Sequence, residues 1–269
     1  MVAQVPITDL FLAGFCIGIA TSLTYVLVII IRVKLDPSLA PPVDEKPTWA
    51  EHRAAIKSTW PIVVLIMGVL GGLFGGLFTA TQAGAVGAAM ALVVAAFKRT
   101  LTRETFTQAT VETLVTCGGL FIVIVGASML TRFLTLSGVG EMIASGVQSL
   151  DADPVMLLVG ITLVYLVLGM FLEPTGAMLI TLPIFLPMVR GAEISLIWFG
   201  AYVAKMLEIG MITPPVGLNV FVLSSTIGKT APTELIFRGV LWFFVADMLL
   251  VALVIAVPDV VMWLPNLVG

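Results

Sequence analysis

From Leu10 to Ile31 the chain passes through 22 consecutive residues without a charged side chain. At ~1.5 Å per residue, a helix of that length crosses the ~30 Å hydrocarbon core of a bilayer. Further apolar stretches occupy Trp60–Phe97, Leu114–Phe133, Val155–Leu172 and Val240–Val257. Lipid offers no hydrogen bonds, so a backbone that spans it must pair within itself, as helices or as a closed barrel. Barrel strands would alternate in polarity over about ten residues. These stretches are continuously apolar, so the predicted fold class is an all-α polytopic membrane protein. Composition agrees: 59% of residues are hydrophobic and 11% charged, less than half the roughly 25% charge of a soluble domain.

The rare residue types exclude several chemistries. His52 is the only histidine and lies in a polar loop, so neither a histidine metal site nor a Ser-His triad can be built. Cys16 and Cys117 sit in apolar stretches, where a free thiol behaves as a small hydrophobe. No nucleophile and base stand in a known spacing, so the chain is not expected to be an enzyme, and no cofactor is expected. A net charge of -3 argues against a nucleic-acid partner. The first apolar stretch follows Asp9 rather than a basic segment and shows no small-residue cleavage site, so it is expected to be a span rather than a leader.

Three regions are expected. Residues 1–59 hold the first span and a polar loop in which Thr48 to Lys57 would form a short surface helix, with Trp49, Arg53, Ile56 and Lys57 at the membrane interface. Residues 60–134 hold scaffold spans, interrupted at Thr79–Gln82 with Thr81 as N-cap of the second piece. Residues 135–269 hold the transport region, ending in a final helix at 239–263. Ten of the 13 Lys and Arg residues fall in loops 32–59, 98–109 and 229–238, which the positive-inside rule places in the cytoplasm. Asp9, Glu141, Asp151, Asp153, Glu193 and Asp259 mark the opposite side. This pattern requires an odd number of crossings between 155 and 228. The simplest solution is a re-entrant hairpin at 155–190 followed by one broken helix at 197–228. A second hairpin arm of only about 13 residues, ~20 Å, favours re-entry over a pair of full spans.

The chemistry is expected at two interruptions. The first is Glu173, Pro174, Thr175 and Gly176; the second gathers Gly210, Thr213, Pro214, Pro215, Gly217 and Asn219. Pro174 would leave a carbonyl unpaired one turn earlier. Pro214-Pro215 would force Thr213 out of the helical region into an extended stretch of free carbonyls. Such backbone is tolerated at membrane depth only where it is buried or lines a wet cavity, and paired broken helices mark substrate and ion sites in secondary transporters. Hard oxygen ligands suit Na⁺, so a sodium site near Thr175, Thr213 and Pro214 is expected, with Na⁺ as coupling ion. Lys205 and Glu208, spaced i,i+3, would neutralise each other, and Asp247 would stand alone in the final span. Gly68, Gly71, Gly72, Gly75 and Gly76 are spaced for close helix contact.

The segments GGLFTATQAGAVGA (75–88), LGMFLEPTGAMLITLPIFLP (168–187), EIGMITPPVGLNVFVLSS (208–225) and LFLAGFCIGI (10–19) resemble the large membrane subunit (DctM-like permease) of tripartite ATP-independent periplasmic (TRAP) transporters. They resemble its C-terminal half only, in the family's order. The resemblance implies one inverted repeat of an elevator-type fold of the ion-transporter superfamily, with a re-entrant hairpin and a discontinuous helix. It implies Na⁺-coupled import of organic acids such as C4-dicarboxylates across the bacterial inner membrane. The implied partners are a periplasmic substrate-binding protein, a small TRAP membrane subunit, the missing N-terminal half and the lipid bilayer. Residues 173–176 would be the hairpin tip, and 213–217 the helix break beside a sodium site. The family pattern has Pro at 17 and 80 and Glu at 82, where this chain has Ile17, Ala80 and Gln82. Since such sites form between repeats, this chain alone is expected to hold about half a site and to transport nothing in isolation. Two other readings compete. A non-transporting scaffold or assembly subunit would leave sodium dependence unchanged when Thr213 and Asn219 are substituted. A binding-protein-independent dicarboxylate/sodium symporter would lack an adjacent binding-protein gene.

Overall fold

A computed structural model describes residues 5–40, 48–138, 142, 145–146, 153–215, 217–227 and 232–268. Lys46, Glu141, Asp151, Val216 and Lys229 lie outside them. Ten α-helices form among the described residues: α1 (Ile7–Leu35), α2 (Trp49–Phe74), α3 (Ala80–Phe97), α4 (Arg103–Leu136), α5 (Pro154–Gly169), α6 (Pro174–Gly191), α7 (Leu196–Gly210), α8 (Leu218–Ile227), α9 (Thr233–Ala256) and α10 (Asp259–Val268). Four of them, α1, α2, α4 and α9, are long and apolar enough to cross a membrane. With no strand among the described residues, the chain is a helical membrane protein.

The helices fall into two units, residues 40–120 and residues 1–39 with 121–269, and α4 carries the chain from one to the other. In the first, α2 packs on α3. A Cβ on Gly68 would strike the Met90 side chain, one on Gly72 would strike Phe78, and one on Gly87 would touch Val69 at 3.4 Å. Part of the glycine series therefore sets close helix approach; Gly71 faces open space and Gly76 (φ +70°) instead makes the turn. The expected short surface helix is the opening of α2, which runs unbroken through Pro61. Thr48 accepts from the Glu51 N–H while Glu51 accepts from the Thr48 N–H. This capping box fixes the start of α2, and no second cap follows to divide it.

The N-cap of α3 is Thr79 rather than the expected Thr81. The Thr79 N–H donates to Gln82 Oε1 at 2.8 Å and the Gln82 N–H to Thr79 Oγ1 at 3.4 Å. A reciprocal box needs Glu or Gln three residues after the cap, and Gln82 supplies that to Thr79. Gln82 thus performs the capping function that a glutamate would, without the charge. Thr79→Ala is expected to cost about 1 kcal/mol, visible as faster hydrogen exchange at the Gln82 and Ala83 amides.

In the larger unit α7 is the central helix. Trp198, Phe199, Tyr202, Val203, Met206 and Ile209 are all buried, and α1, α5, α6 and α9 pack around it. Hydroxyls tie the layers together. Thr162 and Tyr202 lie 2.6 Å apart, and Tyr165 and Thr181 2.7 Å apart. On α1, Thr21, Ser22 and Thr24 donate to the carbonyls of Ile17, Gly18 and Ala20, which satisfies them without water. At the basic end of α1, Arg32 lies over the Trp242 ring at 5.3 Å.

Two lengths differ from the sequence expectation. Helix α6 extends through Arg190 to 18 residues, about 27 Å, so shortness of the second arm no longer favours re-entry. The final helix, expected over 239–263, stops at Ala256. Pro258 lacks an N–H to continue it, and α10 begins separately and packs on α1.

Candidate functional site

Both interruptions exist, and each begins where a helix ends on glycine. Helix α5 stops at Gly169 and α7 at Gly210. There the two backbones touch: a Cβ on Gly169 would lie 2.8 Å from Gly210 Cα, and one on Gly210 2.6 Å from Gly169 Cα. Only glycine permits such an approach. Helix ends leave carbonyls without intrahelical partners, so this crossing sets two such ends side by side. Gly169 is not among the sequence candidates; its only sequence signal is a small residue just ahead of a break, as Gly210 is.

At the first break, residues 170–172 turn and Glu173 caps α6. Its carboxylate accepts from the Gly176 N–H at 3.0 Å and the Thr175 hydroxyl at 2.8 Å. Pro174 is the first residue of α6, where a missing N–H costs nothing. It starts a helix, and among the described residues no backbone N–H pairs with the carbonyls of Met170, Phe171 or Leu172 one turn earlier. A Cβ on Gly176 would meet nothing closer than Glu173 Oε2 at 3.8 Å, so the tip is open on that side. Thr175 donates its proton to Glu173, which leaves the oxygen lone pairs available.

At the second break the backbone turns tightly rather than extending. Ile212 N–H pairs with the Ile209 carbonyl, Thr213 N–H with Gly210 and Asn219 N–H with Met211, at 3.0–3.2 Å. These bonds occupy the carbonyls of Ile209, Gly210 and Met211. Among the described residues, no backbone N–H pairs with the carbonyls of Ile212, Thr213, Pro214 or Pro215. Thr213 is buried and its hydroxyl donates to the Ile209 carbonyl at 2.6 Å, so its oxygen also keeps lone pairs to offer. The Pro214-Pro215 bond is cis. Gly217 has φ +51°, and a Cβ there would meet the Phe237 ring at 3.0 Å. Asn219 is exposed at the start of α8. Helices α5, α6 and α7 pack on one another, which gathers both breaks into one unit. A cavity of about 370 Å³ between α5 and α9, lined by Val159, Leu163, Met248 and Ile255, includes none of the break residues.

Asp247 is not alone. Lys205 lies 2.8 Å from Asp247 Oδ1 and 3.0 Å from Glu208 Oε2, and Tyr25 donates to Asp247 Oδ2 at 2.7 Å. The i,i+3 spacing within α7 reveals the Glu208 partner; the partners on α1 and α9 are distant in sequence, and no local pattern discloses them. Among the described residues, no group of three or more His, Cys, Asp or Glu side chains is arranged to hold a metal.

The chain is similar in sequence to several transporter permeases. The chain is 33% identical to the C4-dicarboxylate TRAP transporter large permease protein DctM of Pseudomonas aeruginosa, over 99% of this chain and 61% of that protein. It is 32% identical to the protein of the same name in Vibrio cholerae, over 98% and 62%. It is 26% identical to the sialic acid TRAP transporter permease protein SiaT of Haemophilus influenzae, over 99% and 43%. The chain thus spans about three fifths of the length of the two large permeases. The family profile described as the tripartite ATP-independent periplasmic transporter, DctM component, matches residues 1–260. The chain belongs to the DctM family of TRAP transporter large permeases.

Proposed function

We propose that this chain forms the C-terminal part of a Na⁺-coupled TRAP permease that imports an organic acid across the bacterial inner membrane. A periplasmic binding protein delivers the solute, and a small membrane subunit and the rest of the large permease complete the carrier. The relatives' names cover C4-dicarboxylates, sialic acid, isethionate and 2,3-diketo-L-gulonate, which share an acidic or oxygen-rich character rather than one skeleton. An organic acid is therefore the proposed class, with C4-dicarboxylates as the leading members. Residues 155–190 act as a re-entrant hairpin and 197–228 as its broken partner helix, one of two inverted repeats that move as an elevator.

One observation carries the sodium assignment: the buried Thr213 oxygen stands in a break where the carbonyls of Ile212, Thr213, Pro214 and Pro215 lack backbone donors among the described residues. Oxygen atoms of this kind suit a hard monovalent cation. Thr175 at the neighbouring tip supplies a further oxygen. The test is solute uptake into proteoliposomes holding the complete permease, its small subunit and the binding protein. Uptake is expected to require an inward Na⁺ gradient, and Thr213→Val is expected to reduce it at least tenfold at limiting Na⁺. Unchanged sodium dependence in Thr213→Val and Asn219→Ala would favour a scaffold role. Uptake of free solute without a binding protein would favour an independent symporter.

A further inference from the structure

Helices α1, α7 and α9 converge on one buried ammonium. Lys205 Nζ on α7 is held by Asp247 Oδ1 of α9 at 2.8 Å and by Glu208 Oε2 of its own helix at 3.0 Å. The face of the Tyr25 ring on α1 lies 5.4 Å away, and the Tyr25 hydroxyl braces the other oxygen of Asp247 at 2.7 Å. The side chains of Lys205 and Asp247 are 1% and 0% exposed. Apolar residues of similar volume generally stabilise a core as well as a buried ion pair does, so stability alone does not account for charges placed here. An ionisable residue at membrane depth is a functional hypothesis by default.

The surroundings of Nζ are what a monovalent cation requires: hard carboxylate oxygens from two residues and the negative face of an aromatic ring. Asp247 Oδ1 faces the ammonium as an ion pair and accepts no hydrogen bond of good geometry, so the contact is chiefly one of charge. Glu208 is 47% exposed, so the second carboxylate is only partly enclosed. We propose that this is a monovalent-cation site permanently occupied by the chain's own Lys205 ammonium. The tethered cation neutralises Asp247 in every state of the protein, so this position draws no ion from solution. The site is separate from the proposed sodium site at the break after α7 and stands whether or not that site binds sodium.

The test removes the tether and asks whether a free ion replaces it. Thermal unfolding of the purified full chain in detergent is followed in NaCl, KCl and choline chloride at equal ionic strength. Lys205→Met is expected to unfold roughly 10 °C below the parent in choline and to recover about half of that loss in Na⁺ or K⁺. Lys205→Met/Asp247→Leu is expected to unfold near the parent and to gain no alkali response. Only the response acquired on removing Lys205 counts. A parent that ignores Na⁺ leaves this proposal intact, and the sodium site at the break is tested separately on the complete permease. Three results would overturn it: no loss in Lys205→Met, a loss equal in all three salts, or failure of both variants to fold, which would assign the residues a packing role.

Discussion

Gly210→Ala is expected to destabilise the chain by about 2–3 kcal/mol, and Gly169→Ala by a similar amount. A methyl group at either position must displace the backbone of the facing helix, because the nearest atoms are Cα atoms at 2.6 and 2.8 Å. A flexible side chain would swing aside, but a backbone can yield only by separating the helices, and overpacking of that kind costs about 1–3 kcal/mol or more. The loss outweighs the about 0.5–1 kcal/mol that alanine gains over glycine in a helix. Gly160→Ala is the control. It lies on the same α5 helix with nothing within 4 Å of its Cβ position, so it is expected to be neutral or slightly stabilising. Thermal unfolding in detergent separates the two outcomes. Equal melting temperatures for Gly160→Ala and Gly210→Ala would show that the crossing does not hold the two helix ends together.

Asp247→Ala is expected to cost about 3–5 kcal/mol, because it strips a buried ammonium of its fully buried partner. Lys205→Ala should cost a comparable amount for the converse reason. The two losses should not add. Once both charges are gone, no uncompensated ion remains, and the double variant is expected to be at least about 2 kcal/mol better than the sum of the singles. Glu208→Gln should cost less than Asp247→Ala, since Glu208 is nearly half exposed while Asp247 is fully buried. Melting curves of the four variants test this, and strict additivity would mean that Lys205 and Asp247 do not interact.

Much of the fold is legible from the sequence because lipid imposes few choices. Apolar length predicts the spans, and the bounds of α8 emerge from Gly217 and the polar residues after Ile227 alone. Pro174 reads as a break, but a proline in an apolar stretch can also begin the next helix. That second role rests on Glu173, whose carboxylate caps the helix and makes Pro174 its first residue. The shape of the second break also escapes prediction. The Asn219 N–H reaches back to the Met211 carbonyl, closing a turn where Pro-Pro alone suggests an extended strand. Gly169 and Asp247 derive their importance from contacts across the bundle, with Gly210 and with Lys205 and Tyr25. Such partners are set by packing of α1, α5, α7 and α9, and a one-dimensional pattern carries no record of them.

The central claim is that oxygens at the break after α7 hold sodium, and equilibrium binding of radioactive sodium to the complete permease tests it most directly. A saturable component lost in Thr213→Val and retained in Lys205→Arg is the predicted result. Saturable binding that survives Thr213→Val unchanged, or its absence from the unmodified permease, would contradict the account.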